Sequence, residues 1–278
     1  MRLSGKVALV TGSTRGVGAE IAVVFAQQGA YVVVTGRAAE HGKAVVEDIL
    51  ASGGKAIFVQ SDLSSEQSVR NLVDRAVSAY GRIDILVNGA ASTETARAAA
   101  RPVGQTSTEE FEASMKVAVY GTFWCCKYVI PRMVAAGGGS VVNISSMAAV
   151  RGLPCAPGYA ASRGAVNALS RQMAADYGPH GVRVNTIVIG LVVAELGQRA
   201  AGTPEPGQGT LGPQLVPRPG EAADVAHLAV YLGSDEATFI TAGELTVDGG
   251  VTMRDPEPAA SFEPGNRMAA GGAAAAGG

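Results

Sequence analysis

The chain has 278 residues, 47% hydrophobic and 17% charged, with a formal net charge of −2. This is the profile of a compact globular protein with ample core, which excludes a disordered chain. The near-neutral balance argues against nucleic acid or an anionic membrane as partner, and no apolar run reaches the roughly eighteen residues that a membrane helix needs.

The first apolar run, over 6–10, follows a start that lacks the long apolar stretch of a signal peptide. Cys125, Cys126 and Cys155 form no metal or disulfide pattern. The expectation is a reduced, cytoplasmic protein, with Cys125 and Cys126 as helix packing. After the first strand the periodicity predicts a helix over 19–28, a strand over 31–35, a helix over 40–50 and a strand over 56–60. A helix over 66–80 and a strand over 83–88 follow. A polar, alanine-rich loop (92–108) leads to a long helix over 108–135. Then come a strand over 140–145, a helix over 157–177 and a strand over 183–189. The last elements are a helix over 222–232 and a seventh strand over 244–248. Strict alternation of strand and helix predicts an α/β fold: a doubly wound, Rossmann-type, seven-stranded parallel sheet with helices on both faces. The expected organisation is one catalytic domain over 1–253. Within it, the Gly- and Pro-rich segment 190–220 is a substrate lid, and the Pro/Gly/Ala-rich residues 254–278 are a disordered tail.

Between the first strand and the first helix lie Thr11-Gly12-Ser13-Thr14-Arg15-Gly16-Val17-Gly18. Glycines let a backbone approach a pyrophosphate, and a helix N-terminus offers unpaired N–H groups. The placement in a βαβ unit makes this a dinucleotide turn. The second strand ends at Gly36-Arg37, with no acidic residue for the adenosine ribose hydroxyls of NAD. Arg37 and Arg15 instead offer guanidinium groups to a 2′-phosphate, so NADP (NADPH) is expected. Asp62, at the end of the third strand, either accepts from the adenine amino group or caps the next helix.

Ser146 precedes Tyr159 by thirteen residues, and Arg163 follows four later. On a helix over 157–177, Tyr159 and Arg163 share one face. A hydroxyl, a phenol and a fixed cation then converge.

With these residues in hand, the chain resembles the classical short-chain dehydrogenase/reductase family over about residues 5–252. The likeness rests on Thr11–Gly18, Asp62, Asn88-Gly89-Ala90-Ala91, Ser146, Tyr159, Asn185 with Gly190, and Leu245-Thr246-Val247-Asp248-Gly249-Gly250. It implies that Tyr159 is the general acid/base and that Ser146 holds the substrate oxygen. It also implies a coenzyme contact set: Gly12, Ser13, Thr14, Arg15, Gly16, Val17, Gly18, Arg37, Asp62, Leu63, Asn88, Tyr159, Arg163, Gly190 and Val192. A homotetramer or homodimer through the helices over 108–135 and 157–177 is implied as well. The departures cluster. Arg163 stands at the family's lysine and Ala118 at its asparagine; Gly89, Ile189 and Ala194 also differ from the usual residues.

A neighbouring cation favours a phenolate, and Arg163 supplies that field, but arginine does not readily give up a proton. The leading expectation is an NADP(H)-dependent oxidoreductase interconverting ketone and alcohol, chiefly by carbonyl reduction (a ketoreductase). Two alternatives stay open: non-redox chemistry on the same scaffold (cyclase, dehydratase or isomerase), and a silent NADP-binding protein. Leu153, Cys155, Leu191 and Leu196 are expected to wall a pocket for a small, neutral, fairly apolar substrate. No metal site is expected.

Overall fold

The computed structural model describes residues 1–90, 101–193 and 214–253. The tail over 254–278, the core of the expected lid (194–213) and most of the loop over 92–108 (92–100) lie outside the described residues.

β1 (Val7–Thr11), β2 (Tyr31–Gly36), β3 (Lys55–Gln60), β4 (Ile85–Asn88), β5 (Gly139–Ser146) and β6 (Val182–Ile189) join β9 (Glu244–Val247) in one sheet. The order is β3-β2-β1-β4-β5-β6-β9, and every pair is parallel. β1 and β4 are buried at every position. A parallel sheet covered on both faces demands such runs of apolar residues. Alternation along each strand divides the core in two. Ala8, Val10, Val32, Val34, Ile85 and Val142 pack with α1 (Gly16–Gln27), α2 (Ala39–Ala51) and α7 (Ala222–Gly233). Leu9, Val33, Leu86, Val141 and Val184 pack with α3 (Glu66–Tyr80), α5 (Gly121–Ala135) and α6 (Pro157–Tyr177). The chain winds outward from β1 to β3, then returns to place β4 beside β1. Doubly wound sheets open a crevice where the direction of winding reverses.

α3 and α6 have the predicted bounds because their ends are chemically marked. Ser65 Oγ accepts from Ser68 N at 3.3 Å, and Gly81 closes α3 at φ 80°. Pro157 opens α6 at its first position. The helix over 108–135 is one rod in three parts: α4 (Thr108–Met115), a π-helical turn (Lys116–Tyr120) and α5. Ser107 and Glu110 close its start with a reciprocal capping box. Near the expected lid, β7 (Val192–Val193) pairs with β8 (Gly220–Glu221), which ties the two ends of that segment together. Two-residue strands carry no periodicity, so this pairing is absent from the sequence pattern. Among the described residues no helix is long and apolar enough to cross a membrane.

Candidate active site

The glycine turn closes on itself through its own backbone. Gly12 and Gly16 have positive φ (67° and 62°). A Cβ on Gly12 would sit 2.7 Å from Ala90 Cα, and one on Gly18 would sit 2.4 Å from Gly12 O. Only glycine allows these approaches. Ser13 is fully buried. Its Oγ donates to Val10 O at 2.6 Å and accepts from Thr35 N at 2.9 Å, so it clamps the turn onto β2. Thr14 lies over Gly36, where a Cβ would meet its Cγ2 at 2.6 Å. No side chain caps the N-terminus of α1, and Val17 packs against the core below. This cradle, with bare helix N–H groups at the β1/β4 switch point, fits a dinucleotide pyrophosphate. Arg15 and Arg37 are both exposed at its rim.

Four expected contacts have internal duties. Asp62 lies two residues beyond β3, and the cap of α3 is Ser65. The Asp62 Oδ1 accepts from Ser64 N and Oγ at 2.9 and 2.8 Å, so of its two open readings the helix cap falls to Ser65. The Ser64 backbone bond first, then burial in the opposite sense, the Ser64 hydroxyl and the nearby Arg37 act on this carboxyl; the net effect holds it below the ordinary range. Leu63 is buried against Gly121 of α5. The Asn88 amide donates to Asn143 Oδ1 at 2.8 Å and to Cys126 Sγ at 3.5 Å, so its side chain is engaged beneath the helices. Gly190 donates its N–H to Val247 O, and a Cβ on it would meet Asp248 Cβ at 2.6 Å. Val192 is half-buried in β7. Ala91 and Ala194 lie outside the described residues.

The second half of the site is the corner between β5 and α6. Ser146 ends β5, buried, and its Oγ accepts from Ala148 N at 3.2 Å. It therefore caps the short turn over Met147–Ala149. That bond uses a lone pair, and the hydroxyl proton stays available to a substrate oxygen. Tyr159 lies in the first turn of α6, half-buried. The Arg163 guanidinium carbon lies 5.1 Å from the Tyr159 ring centroid, and its Nη1 donates to Ile144 O at 2.9 Å. The Ser145 hydroxyl donates to Arg163 O at 3.4 Å, which fastens this turn of α6 to β5. Arg163 is only 4% exposed. Burial pushes its guanidinium below the ordinary arginine range, while the charge of Tyr159 and its hydrogen bonding act in the opposite sense. Ala118, buried, lies on the π-helical turn that packs against α6.

A shallow cleft, open to solvent, lies beside Tyr159. Its walls are Thr106, Glu110, Ser114, Cys155, Ala156, Pro157, Gly158 and Tyr159. Of the expected pocket residues only Cys155 lines it. Leu153 and Leu191 are exposed outside it, and Leu196 lies outside the described residues. The wall from α4 has a sequence signal, the capping box that places Glu110 in the first turn. Its position beside Tyr159 comes from Gly158, where a Cβ would meet Ser114 Oγ at 3.1 Å. This wall is more polar than the leucines predicted. Cys125 and Cys126 are buried in the core. Burial pushes the Cys126 thiol up to about 12 and the Cys125 thiol up as well, so both are inert at neutral pH. Among the described residues no cluster of acidic, histidine or cysteine side chains is suited to a metal.

Comparison with known proteins agrees with this layout. A family model described as enoyl-(acyl carrier protein) reductase matches residues 12–252. A 2,5-dichloro-2,5-cyclohexadiene-1,4-diol dehydrogenase of Sphingobium indicum is 40% identical over 255 residues, covering 90% of this chain and 98% of the relative. D-threitol dehydrogenase of Mycolicibacterium smegmatis is 37% identical, covering 91% and 95%. A solved 7 alpha-hydroxysteroid dehydrogenase, complexed with NADH and 7-oxo glycochenodeoxycholic acid, superposes with a TM-score of 0.81. It is 36% identical and covers 90% of this chain and 95% of its own.

Proposed function

The chain belongs to the classical short-chain dehydrogenase/reductase family, and from that premise we propose that it is an NADP(H)-dependent oxidoreductase interconverting a ketone and a secondary alcohol. The observation that carries the reading is the β5–α6 corner: a serine with a proton to donate, a phenol, and a buried cation beneath that phenol.

In this reading Gly12 to Gly18 hold the pyrophosphate, and Arg15 and Arg37 take the adenosine 2′-phosphate. Asp62 accepts from the adenine amino group. Leu63, Asn88, Gly190 and Val192 border the coenzyme; the Asn88 amide nitrogen is held by Asn143, while its Oδ1 is buried without a protein partner. The bound nicotinamide supplies or takes the hydride. Ser146 donates a hydrogen bond from its hydroxyl to the substrate oxygen, keeping its proton, and orients that oxygen. Tyr159 gives that oxygen its proton during reduction and removes it during oxidation. Arg163 sets its charge 5.1 Å from the Tyr159 ring centroid and stays protonated throughout. Its Nη1 is tied to Ile144 O, so its direction is set by β5. The substrate is small and neutral, in keeping with relatives named for a cyclic diol, threitol and cyclopentanol. The polar wall of Thr106, Glu110 and Ser114 suits a second hydroxyl on it. Exposed Phe111, Tyr120 and Phe123 on the α4–α5 rod support a homodimer or homotetramer through that rod and α6, which light scattering measures.

The test is NADPH consumption by the purified protein with a panel of ketones and the corresponding alcohols. The expected result is turnover that Tyr159→Phe lowers by at least about 100-fold. Product formed without stoichiometric coenzyme turnover would favour the non-redox reading instead. The Arg163 and Ala118 substitutions give that second reading its support.

A further inference from the structure

On the side of the sheet covered by α6, one polar residue stands at the same level on six strands. Thr35, Thr11, Asn88, Asn143, Thr186 and Glu244 are successive register partners across β2, β1, β4, β5, β6 and β9. Two positions before Asn143 and Thr186, Val141 and Val184 pack into the apolar layer beneath α5 and α6. Strand alternation turns the polar row toward the same side. The side-chain bonds agree: Asn143 Nδ2 donates to Ser170 Oγ of α6 at 2.7 Å, and Asn167 Nδ2 of α6 donates to Glu244 Oε2 at 2.8 Å.

Among the described residues, five buried side-chain atoms in this layer find no protein hydrogen-bond partner: Thr35 Oγ1 and Asn88 Oδ1 toward the β2 side, and Arg163 Nε, Asn167 Oδ1 and Thr186 Oγ1 between α6 and the β5–β6 pair. The residues of the last three are 4%, 4% and 0% exposed. Strand register and helix spacing bring these three to the same stretch of the α6–sheet interface. Asn167 lies one helical turn beyond Arg163 on the same stripe of α6. Arg163 reaches down to Ile144 O, next in sequence to Asn143, one register partner of Thr186. Asn167 reaches down to Glu244, the other register partner of Thr186. Thr186 therefore lies beneath the span between the two side chains. One atom is a donor, one an acceptor, and the hydroxyl is either. Groups of this kind are costly to bury unpaired, and protein interiors satisfy them with water that makes about three hydrogen bonds.

We propose that the space between α6 and the β5–β6 pair is a built water site. The water accepts from Arg163 Nε and donates to Asn167 Oδ1 and Thr186 Oγ1. Asn167 and Thr186 are thereby positioning residues for the Arg163–Tyr159 pair. Ile144 O holds one edge of the guanidinium and the water holds the other, so the plane of the cation is fixed under the phenol. This inference rests on the reading of Tyr159 as the proton-transfer residue.

The test uses Thr186→Val, which keeps the shape and removes the hydroxyl, with Thr186→Ser as the restoring variant. The water site predicts that Thr186→Val lowers kcat roughly 3–10-fold at unchanged coenzyme KM, and that Thr186→Ser recovers it. A second readout is independent of catalysis. In the full chain labelled with 15N-arginine, Arg163 Nε–H should show a magnetisation-transfer peak to water in the wild type and in Thr186→Ser, and lose it in Thr186→Val. A Thr186→Val protein with unchanged kcat and equal or higher Tm overturns the positioning role. So does a fall in kcat without any water contact at Nε. If the wild type turns over no substrate, the proposed function fails, and the Nε–water peak still decides whether the site exists.

Discussion

The β1–α1 turn and the β5–α6 corner lie at the same ends of parallel strands, separated by β4 alone, yet they are made of different things. The turn is backbone. Its glycines bring main chain within 2.4–2.7 Å of where a Cβ would stand, and its one fully buried hydroxyl, Ser13, serves the fold. The corner is side chains, with a serine, a phenol and a buried guanidinium set on β5 and α6. A site made of backbone is broken by volume. A site made of side-chain charge is broken by neutral substitutes that leave the volume alone.

The largest effect is expected at the corner. Tyr159→Phe should lower kcat by roughly 10²–10⁴-fold, the usual worth of general acid–base catalysis. Its Tm should move by no more than a few degrees, since the ring is only half-buried and stays in place. Steady-state kinetics and thermal melting measured together check this. A Tyr159→Phe enzyme of full activity would remove the phenol from the chemistry. At the turn the pattern should invert. Gly18→Ala would put a methyl 2.4 Å from Gly12 O, a contact with backbone that no side-chain rotation relieves. Overpacking of this kind costs about 1–3 kcal/mol. Urea denaturation should show that loss, together with weaker coenzyme binding. An unchanged denaturation midpoint would mean that the turn yields.

How far each half was legible in the sequence follows from the same difference. The turn was legible because glycine spacing is itself the signal, and Gly12, Gly16 and Gly18 do there what only glycine can. Tyr159 and Arg163 were legible as a stripe on α6, since one helical turn is a local relation. The π-helical turn around Ala118 was not, because a shift from i→i−4 to i→i−5 bonding leaves no mark on apolar spacing. The pairing of Asn167 with Glu244 was hidden for another reason: the residues stand 77 positions apart and meet only through the sheet order. Leu153 and Leu191 were read as pocket walls because leucine suits an apolar pocket. The structure builds the wall beside Tyr159 from α4 and the loop before α6.

A smaller effect tests the rim of the turn. Arg37→Ala should raise the Kd for NADPH about 10-fold while leaving that for NADH nearly unchanged, the scale of one charge-assisted hydrogen bond. Fluorescence titration with both coenzymes measures it. Equal losses for the two would assign Arg37 to the fold or to the shared part of the coenzyme. The outcome also bears on the comparison, because Arg37, with Arg15, is where the turn half is proposed to work by charge.

The smallest effect concerns Asp248, where volume and charge meet in one residue. Its Cβ stands 2.6 Å from where a Cβ of Gly190 would be, so it closes the end of β6 by volume. Its carboxylate accepts from Gly250 N at 2.8 Å, Thr252 N at 2.8 Å and Thr252 Oγ1 at 2.7 Å. Burial pushes this carboxyl up, but the Thr252 and Gly250 donors outweigh it and hold the group below the ordinary carboxylate range. A depressed folded value means that the stabilisation is fully present above the unfolded value of about 3.9 and is lost as pH falls through the folded one. Asp248→Asn keeps the shape against Gly190 and weakens the acceptor. It should cost about 1 kcal/mol at pH 7. The deficit should begin to shrink as pH falls below about 3.9, where the unfolded carboxyl takes up its proton, and it should close only as pH falls through the lower folded value. Urea denaturation at pH 7, 5 and 3 gives the two stability curves. Convergence in acid assigns the 248–252 turn to charge. Curves that stay parallel assign it to the fit against Gly190, and would make this end of the corner a matter of volume, like the glycine turn.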